Sequence, residues 1–246
     1  MDRVAFSIFG IDVMWYGVLI SAGVLLGVVI ALREAKRSGF KEDNLLDFLL
    51  YAIPAGIVGA RAYYVIFSWD YYSRNLSQII NTRNGGLAIH GAIIAGVITA
   101  ALFCKKRKIN VLELIDLVIP SLIIGQAIGR WGNFINQEAY GGPTDLPWGI
   151  IIDGQKVHPT FLYESIIDFC IFIFLIWFRK NKKTTDGQIF GLYLILYSAG
   201  RYFVEGLRTD SLMFAGMRVA QLISAASIII GAALLIYLKK KNVSSE

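Results

Sequence analysis

The chain has 246 residues, 56% of them hydrophobic and 13% aromatic, and a mean hydropathy of +0.57, more apolar surface than a globular interior of this size absorbs. Its formal net charge of +6 would raise the question of nucleic acid in a soluble protein. Here the Lys and Arg fall in short clusters between apolar runs, which is a membrane pattern and argues against a nucleic-acid partner.

Crossing about 30 Å of hydrocarbon takes roughly 20 largely apolar residues in a helix. In chain order the sequence predicts seven such segments: Trp15–Leu32, Leu45–Phe67, Leu87–Phe103, Val111–Gly129, Thr160–Phe178, Gln188–Glu205 and Met217–Leu238. The first and third are short, so tilt or local thinning of the bilayer is expected there. The start, Met1-Asp2-Arg3, has no basic leader and no small-residue cleavage signal closes the first run, so that run is read as a retained helix. Pro54 and Pro120 interrupt helices 2 and 4 as potential kinks. Small residues at four-residue spacing, Gly23 with Gly27, Gly56 with Ala60, Gly91 with Ala95 and Gly125 with Gly129, suit close helix packing.

Basic residues fix the orientation. Arg33, Lys36, Arg37 and Lys41, then Lys105 to Lys108, then Arg179, Lys180, Lys182 and Lys183, then Lys239 to Lys241 make 15 of the 24 basic residues, all on one side. The other side holds Arg3, Arg74, Arg83, Arg130, Lys156, Arg208 and Arg218. The positive-inside rule makes the first side cytoplasmic, the N-terminus external and the C-terminus cytoplasmic. Two outer loops stand out. Ser68 to Gly86 has aromatics and apolar residues at helical spacing, predicting a short interfacial helix. Arg130 to Pro159 ends in Trp148 to Val157 around Asp153-Gly154, predicting a β-hairpin. The expectation is an all-α polytopic membrane protein, a single integral membrane domain over residues 1–246 with a small extracytoplasmic loop region.

Ionisable groups in lipid are costly and therefore informative. Glu42, Asp43, Asp47, Glu113 and Asp116 lie at cytoplasmic helix starts, where a carboxylate suits the helix dipole. The others gather toward the outer side: Arg61, His90, Gln126, Arg130, Glu164, Asp168, Tyr197, Arg201, Glu205 and Arg208. Tyr197, Arg201, Glu205 and Arg208 are spaced four, four and three, and so share one helical face, with an Arg201–Glu205 ion pair expected. That pair neutralises one arginine and leaves Arg130, Arg208 and Arg61 for an anion, for which guanidinium forks suit phosphate. His90, flanked by Gly85-Gly86 and Gly91, has no second histidine nearby, and Cys104 and Cys170 lack metal-ligand or CxxC spacing, so neither a metal site nor a cofactor is expected. The string Gly129-Arg130-Trp131-Gly132-Asn133-Phe134-Ile135-Asn136-Gln137-Glu138 suits a re-entrant or ligand-lining loop.

That string, with Trp15-Tyr16-Gly17, Gly85-Gly86, His90-Gly91, Gly141, His158-Pro159, Tyr163-Glu164 and the Tyr197 to Arg208 face, resembles the bacterial prolipoprotein diacylglyceryl transferase family over nearly the whole chain. The resemblance implies transfer of the diacylglyceryl group of phosphatidylglycerol to the thiol of a lipobox cysteine in a prolipoprotein. A thioether forms and glycerol phosphate is released, at the outer leaflet of the bacterial cytoplasmic membrane. Carried over by position, the catalytic candidates are His90, Arg130, Tyr197, Arg201 and Glu205. Candidates for substrate binding are Tyr16, Arg61, Asn133, Asn136, Glu138, Gly141, Glu164 and Arg208. Ala92 departs from the family, in which many members have a second glycine, and bears on packing near His90. An anionic-lipid transporter or flippase would use the same arginines without bond cleavage, but no inverted repeat is visible. A seven-helix receptor would have no need of the arginine cluster, and no GxSG string supports an intramembrane serine protease.

Overall fold

A computed structural model describes residues 3–82 and 85–243; Met1, Asp2 and Arg83, used in the sequence argument, lie outside the described residues. The chain is mostly helical. The long helices are α1 Trp15–Ser38, α2 Glu42–Phe67, α4 Ile89–Arg107, α5 Val111–Asn136, α6 Thr160–Asn181, α7 Gln188–Glu205 and α8 Val219–Val243, with a one-turn α3 at Trp69–Tyr72. Among the described residues six of these, all except α7, are long and apolar enough to cross a membrane. Large apolar side chains such as Leu50, Val58, Phe67, Ile229 and Ile236 remain exposed on their surfaces, as lipid-facing positions do.

Charge at the helix ends follows the macrodipole. α1, α4, α6 and α8 carry Lys or Arg in their last turns, whereas α2 and α5 carry Glu or Asp in their first. The basic clusters stay helical, so α1 and α4 reach 24 and 19 residues and outrun the expected Trp15–Leu32 and Leu87–Phe103. α1 stops before Gly39 at φ 79°, and α4 stops at Lys108 at φ 57°, a left-handed step that ends an α-helix. Neither Pro54 nor Pro120 ends its helix.

Two compact units are present. The first is Met1–Ala31 with Ile115–Glu246. Its apolar core joins Ile119 and Ile123 of α5, Ile171 and Leu175 of α6, and Ile189 and Tyr193 of α7. Glycines let its helices touch by backbone: a Cβ on Gly23 would lie 3.3 Å from Gly125 Cα, and one on Gly231 of α8 would lie 2.8 Å from Gly191 O of α7. Among the described residues three two-stranded antiparallel hairpins decorate it: β1 Val4–Ile8 with β2 Ile11–Met14, β3 Ile150–Ile152 with β4 Gln155–Val157, and β5 Met213–Phe214 with β6 Met217–Arg218. The β3–β4 turn is Asp153-Gly154, with φ of 50° and 79°, the pair of positive values that a tight Asp-Gly hairpin turn requires.

The second unit, Leu32–Leu114, packs α2 on α4. The contact centres on Gly59 and Gly91, not on Gly56 as the four-residue spacing suggested: a Cβ on Gly59 would fall 2.6 Å from Gly91 O and 2.5 Å from Ala95 Cβ, while one on Gly56 would meet nothing within 4 Å. Phe48 and Phe103 pack rings at 5.7 Å, and Arg107 pairs with Asp47. The loop after α2 forms α3 and a 3-10 turn at Leu76–Ile80, in place of one interfacial helix.

These glycine contacts set a paired test. Gly59→Ala is expected to destabilise the detergent-solubilised protein by about 1–3 kcal/mol through overpacking. Gly56→Ala should leave the denaturant midpoint unchanged or slightly raised, since its Cβ enters open space and alanine favours the helix. Equal midpoints for the two variants would refute the Gly59–Gly91 contact as the packing centre.

Candidate active site

The polar site of the first unit is built on α5, α6 and α7. The position of α7 is fixed at its start. Gly187, at φ 97°, and Phe190 donate their backbone N–H groups to Asp116 Oδ2 and Oδ1, each at 2.9 Å. Asp116, fully buried, therefore caps α7 from α5 and does more than serve its own helix dipole, the role expected of it from sequence. Lys183 Nζ lies 3.1 Å from Asp116 Oδ2 and 3.0 Å from Asp186 Oδ1. Burial works against the Lys183 ammonium, but these two carboxylates outweigh it and hold its pKa above the ordinary lysine value.

From that anchor α7 presents Tyr193, Tyr197, Arg201 and Glu205 at successive turns. Tyr193 stacks on Tyr197 at 5.3 Å and donates its hydroxyl to Gln126 Oε1 at 3.2 Å. Arg201 Nη2 lies 2.6 Å from Glu205 Oε2, the ion pair expected from spacing. Its Nη1 pairs with Glu164 Oε1 on α6. Glu164 Oε2 lies 3.3 Å from Arg130 Nη1 on α5, and Arg130 Nη2 reaches the Tyr197 hydroxyl at 3.4 Å. One carboxylate thus bridges two guanidiniums from two helices. Arg130, Glu164, Asp168, Tyr197 and Arg201 line a small cavity, walled also by Ile167 and Gly200.

Arg208 lies just beyond the end of α7. Its Nε is 3.9 Å from Glu205 Oε2, and its fork binds Asp210 at 2.9 and 2.7 Å. The Arg208 guanidinium holds the Asp210 carboxyl below its ordinary pKa. Arg218 donates to the Glu205 carbonyl and so closes the end of α7. Asp210 and Arg218 carried no expectation as partners, because the hairpin that returns Arg218 to α7 spans only Met213–Arg218 and has no alternating pattern.

The Gly129 to Glu138 string corrects the expected loop. α5 continues to Asn136, about two turns past Gly129, and the chain leaves the helix from Gln137, with Gln137 and Ala139 at φ 55° and 59°. The extension is held from the side: Trp131 Nε1 donates to Ser165 Oγ at 3.1 Å, and Phe134 stacks on Phe161 at 4.5 Å. Asn133 and Asn136 both donate to Glu138 Oε1, at 3.1 and 3.2 Å, forming a local amide–carboxylate cluster. Tyr16 lies against Gly132, where a Cβ would fall 2.9 Å from the ring's Cε2. Gly141 serves the backbone: its N–H donates to His158 O at 3.0 Å, Gly142 donates to Leu207 O at 2.9 Å, and Gly141 bridges Arg208 in strand fashion. A Cβ there would sit 2.6 Å from His158 Cβ.

Two candidates belong to the second unit. His90 is exposed in the first turn of α4 and stacks on Tyr63 at 5.8 Å. Beside Ala92 it is Gly91 that makes a close approach, with its Cβ position 2.5 Å from Tyr63 Cβ. Arg61 is not available to an anion as expected. It is buried, donates Nε to Ile79 O at 2.7 Å, Nη2 to Gln78 O at 2.6 Å and Nη1 to the carbonyls of Gly85 and Gly86 at 3.2 and 2.8 Å, and stacks over Tyr72 at 5.1 Å. It ties the loop to α2. Among the described residues no group of three His, Cys, Asp or Glu is arranged to hold a metal ion.

A family model described as prolipoprotein diacylglyceryl transferase matches residues 3–237. The chain belongs to this family. Relatives named phosphatidylglycerol–prolipoprotein diacylglyceryl transferase include one from Finegoldia magna, 59% identical over 246 residues, covering 100% of this chain and 99% of the relative. Another, from Clostridioides difficile, is 58% identical over 242 residues and covers 98% and 97%. A third, from Bacillus mycoides, is 49% identical over 252 aligned positions and covers 98% and 93%. The diacylglyceryl transferase family resemblance carried by the Gly129 to Glu138 string thus holds along the whole chain.

Removing the shared carboxylate tests the cluster. Glu164→Gln leaves two partly buried guanidiniums without their common anion and is expected to cost about 3–5 kcal/mol of stability, read from denaturant unfolding in detergent. Added inorganic phosphate should restore part of the loss. A shift under about 0.5 kcal/mol would show that the arginines do not depend on Glu164.

Proposed function

We propose that the chain transfers the diacylglyceryl group from phosphatidylglycerol to the lipobox cysteine of a prolipoprotein. The observation that carries the reading is Glu164, whose two oxygens each hold a different arginine, Arg201 and Arg130. A phosphodiester offers the same two-oxygen arrangement, so the lipid phosphate competes with Glu164 for an electropositive fork assembled in advance. The names of the relatives support the same donor and acceptor, and nothing in them supports the transporter alternative.

In this reading the thiol sulfur attacks the glyceryl carbon, the S–C bond forms, the C–O bond to phosphate breaks, and glycerol phosphate leaves as the anion. Arg130 and Arg201 stabilise the charge that grows on the phosphate, Glu205 holds Arg201 in place, and Tyr197 orients Arg130. Asn133, Asn136, Glu138, Tyr16, Gly141 and Arg208 shape the surrounding surface. A free thiol has a pKa of about 8.5, so a base is needed near neutrality, and His90, exposed among glycines, takes the proton. No cofactor enters the balance.

The membrane reading goes further than the six apolar helices. We take α7 as a seventh crossing because it packs between α6 and α8 and turns its charged groups inward to Glu164 rather than to lipid. With seven crossings the basic clusters fall on the cytoplasmic side, the N-terminus lies outside, and the Arg130–Glu164–Arg201 cluster opens to the outer leaflet of the bacterial cytoplasmic membrane. Such a chain forms one integral membrane domain.

The transfer itself is checked by incubating the purified protein with phosphatidylglycerol and a lipobox peptide and weighing the product, where a diacylglyceryl mass increase is expected. In the same assay His90→Gln should slow transfer by roughly two to four orders of magnitude near pH 6.5. The deficit should shrink at pH 9, where hydroxide supplies thiolate. A wild-type to variant ratio that does not change with pH would remove His90 from the role of base. Topology is checked by cysteine labelling of intact cells: positions in 68–86 and 144–157 should react from outside, and positions 105–108 and 179–183 should not. External labelling at position 105 would overturn the orientation.

A further inference from the structure

α6 carries a second carboxylate, Asp168, one turn beyond Glu164, and it is only 2% exposed. Its Oδ2 has no hydrogen-bond partner among the described residues, and neither has the buried Nε of Arg130. Both side chains line the same cavity, beside Tyr197 and Arg201. The two Nη atoms of Arg130 are engaged by Glu164 and Tyr197, so Nε is the donor left over. A buried donor and a buried acceptor, on side chains that line one space, are each costly while unmade. An anion would satisfy the donor alone and a cation the acceptor alone, whereas a hydroxyl satisfies both: it accepts from Arg130 Nε–H and donates to Asp168 Oδ2. The cavity has room for about one water-sized group, and Ile167 and Gly200 make its remaining wall apolar.

We propose that Asp168 and Arg130 Nε form a hydroxyl subsite that reads the glycerol headgroup of the donor lipid, while the Arg130 Nη atoms and Arg201 take its phosphate. The proposal rests on phosphatidylglycerol being the donor. It makes Asp168 a specificity residue: an anionic phospholipid of equal charge without headgroup hydroxyls would leave both buried groups unmade and react poorly.

The test compares phosphatidylglycerol with phosphatidylpropanol, which has the same charge and headgroup length but no headgroup hydroxyl, as donors to a lipobox peptide. Wild-type kcat/KM should favour phosphatidylglycerol by at least about tenfold. Asp168→Asn keeps the size of the side chain but replaces a carboxyl oxygen by an amide nitrogen, so the ratio should fall by at least about threefold, through loss on phosphatidylglycerol with little change on phosphatidylpropanol. Asp168→Glu, whose extra methylene fills the hydroxyl's place, should depress the ratio likewise and serves if the Asn variant does not fold. Equal use of the two lipids by the wild type overturns the subsite without any variant. A parallel loss on both lipids in either folded variant also overturns it and leaves Asp168 a positioning residue for the arginines. Failure of the wild type to use either lipid refutes the donor assignment, and the subsite with it.

Discussion

The polar interior of this protein hangs on the sharing of one carboxylate by two arginines. Arg130 and Arg201 come from different helices, and without Glu164 their like charges would repel across a poorly solvated space, where Coulomb energies are several-fold larger than in water. With Glu164 between them, at 3.3 Å from Arg130, α5, α6 and α7 are joined at one level. Glu205 then completes the second side of Arg201 at 2.6 Å. The helices can therefore pack by apolar contact and still carry these ionisable groups in their midst. The same arrangement gives each guanidinium one oxygen of a single carboxylate.

Around this centre the less reactive residues act as supports. Trp131 donates to Ser165, whose hydroxyl donates in turn to Ala127 O at 2.9 Å, so the extended end of α5 is stitched to α6 on the flank of Arg130. Gly141 and Gly142 pair by backbone with the segment after α7, which settles where Arg208 emerges. Arg61 does the corresponding work in the other unit, where four carbonyl contacts hold the loop before α4. These residues and the phosphate-binding candidates look alike in a sequence, because arginine serves a ring of carbonyls as well as it serves an anion.

That ambiguity marks the limit of what the sequence discloses. Helix positions follow from apolar runs, and α7 begins at the expected Gln188, after Gly187 in its left-handed conformation, and ends at the expected Glu205. The Asp153-Gly154 hairpin is equally legible, since few residue pairs accept two positive φ values. The Arg201–Glu205 pair follows from four-residue spacing. What escaped are contacts between segments remote in the chain: Asp116 with Gly187 and Phe190, Glu164 with Arg130, and the choice of Gly59 over Gly56 as the packing glycine. A periodic pattern identifies a face but not the neighbour it meets. The Gly129 to Glu138 string misled for a related reason, as glycines and amides suggest irregular backbone, whereas here Gly132 makes room for Tyr16 on a continuing helix.

The capping of α7 by Asp116 also bears on how the chain is assembled. Among the described long helices α7 alone falls short of the length and apolarity of a membrane span, and its first N–H groups are satisfied by a carboxylate synthesised 71 residues earlier. During synthesis α5 is complete well before α7 leaves the ribosome, so the acceptor is waiting when the donors arrive. A chain interrupted after α6 would hold Asp116 with neither its two amides nor a helix to cap. The last third of the sequence thus completes the hydrogen bonding of a carboxylate laid down near its middle.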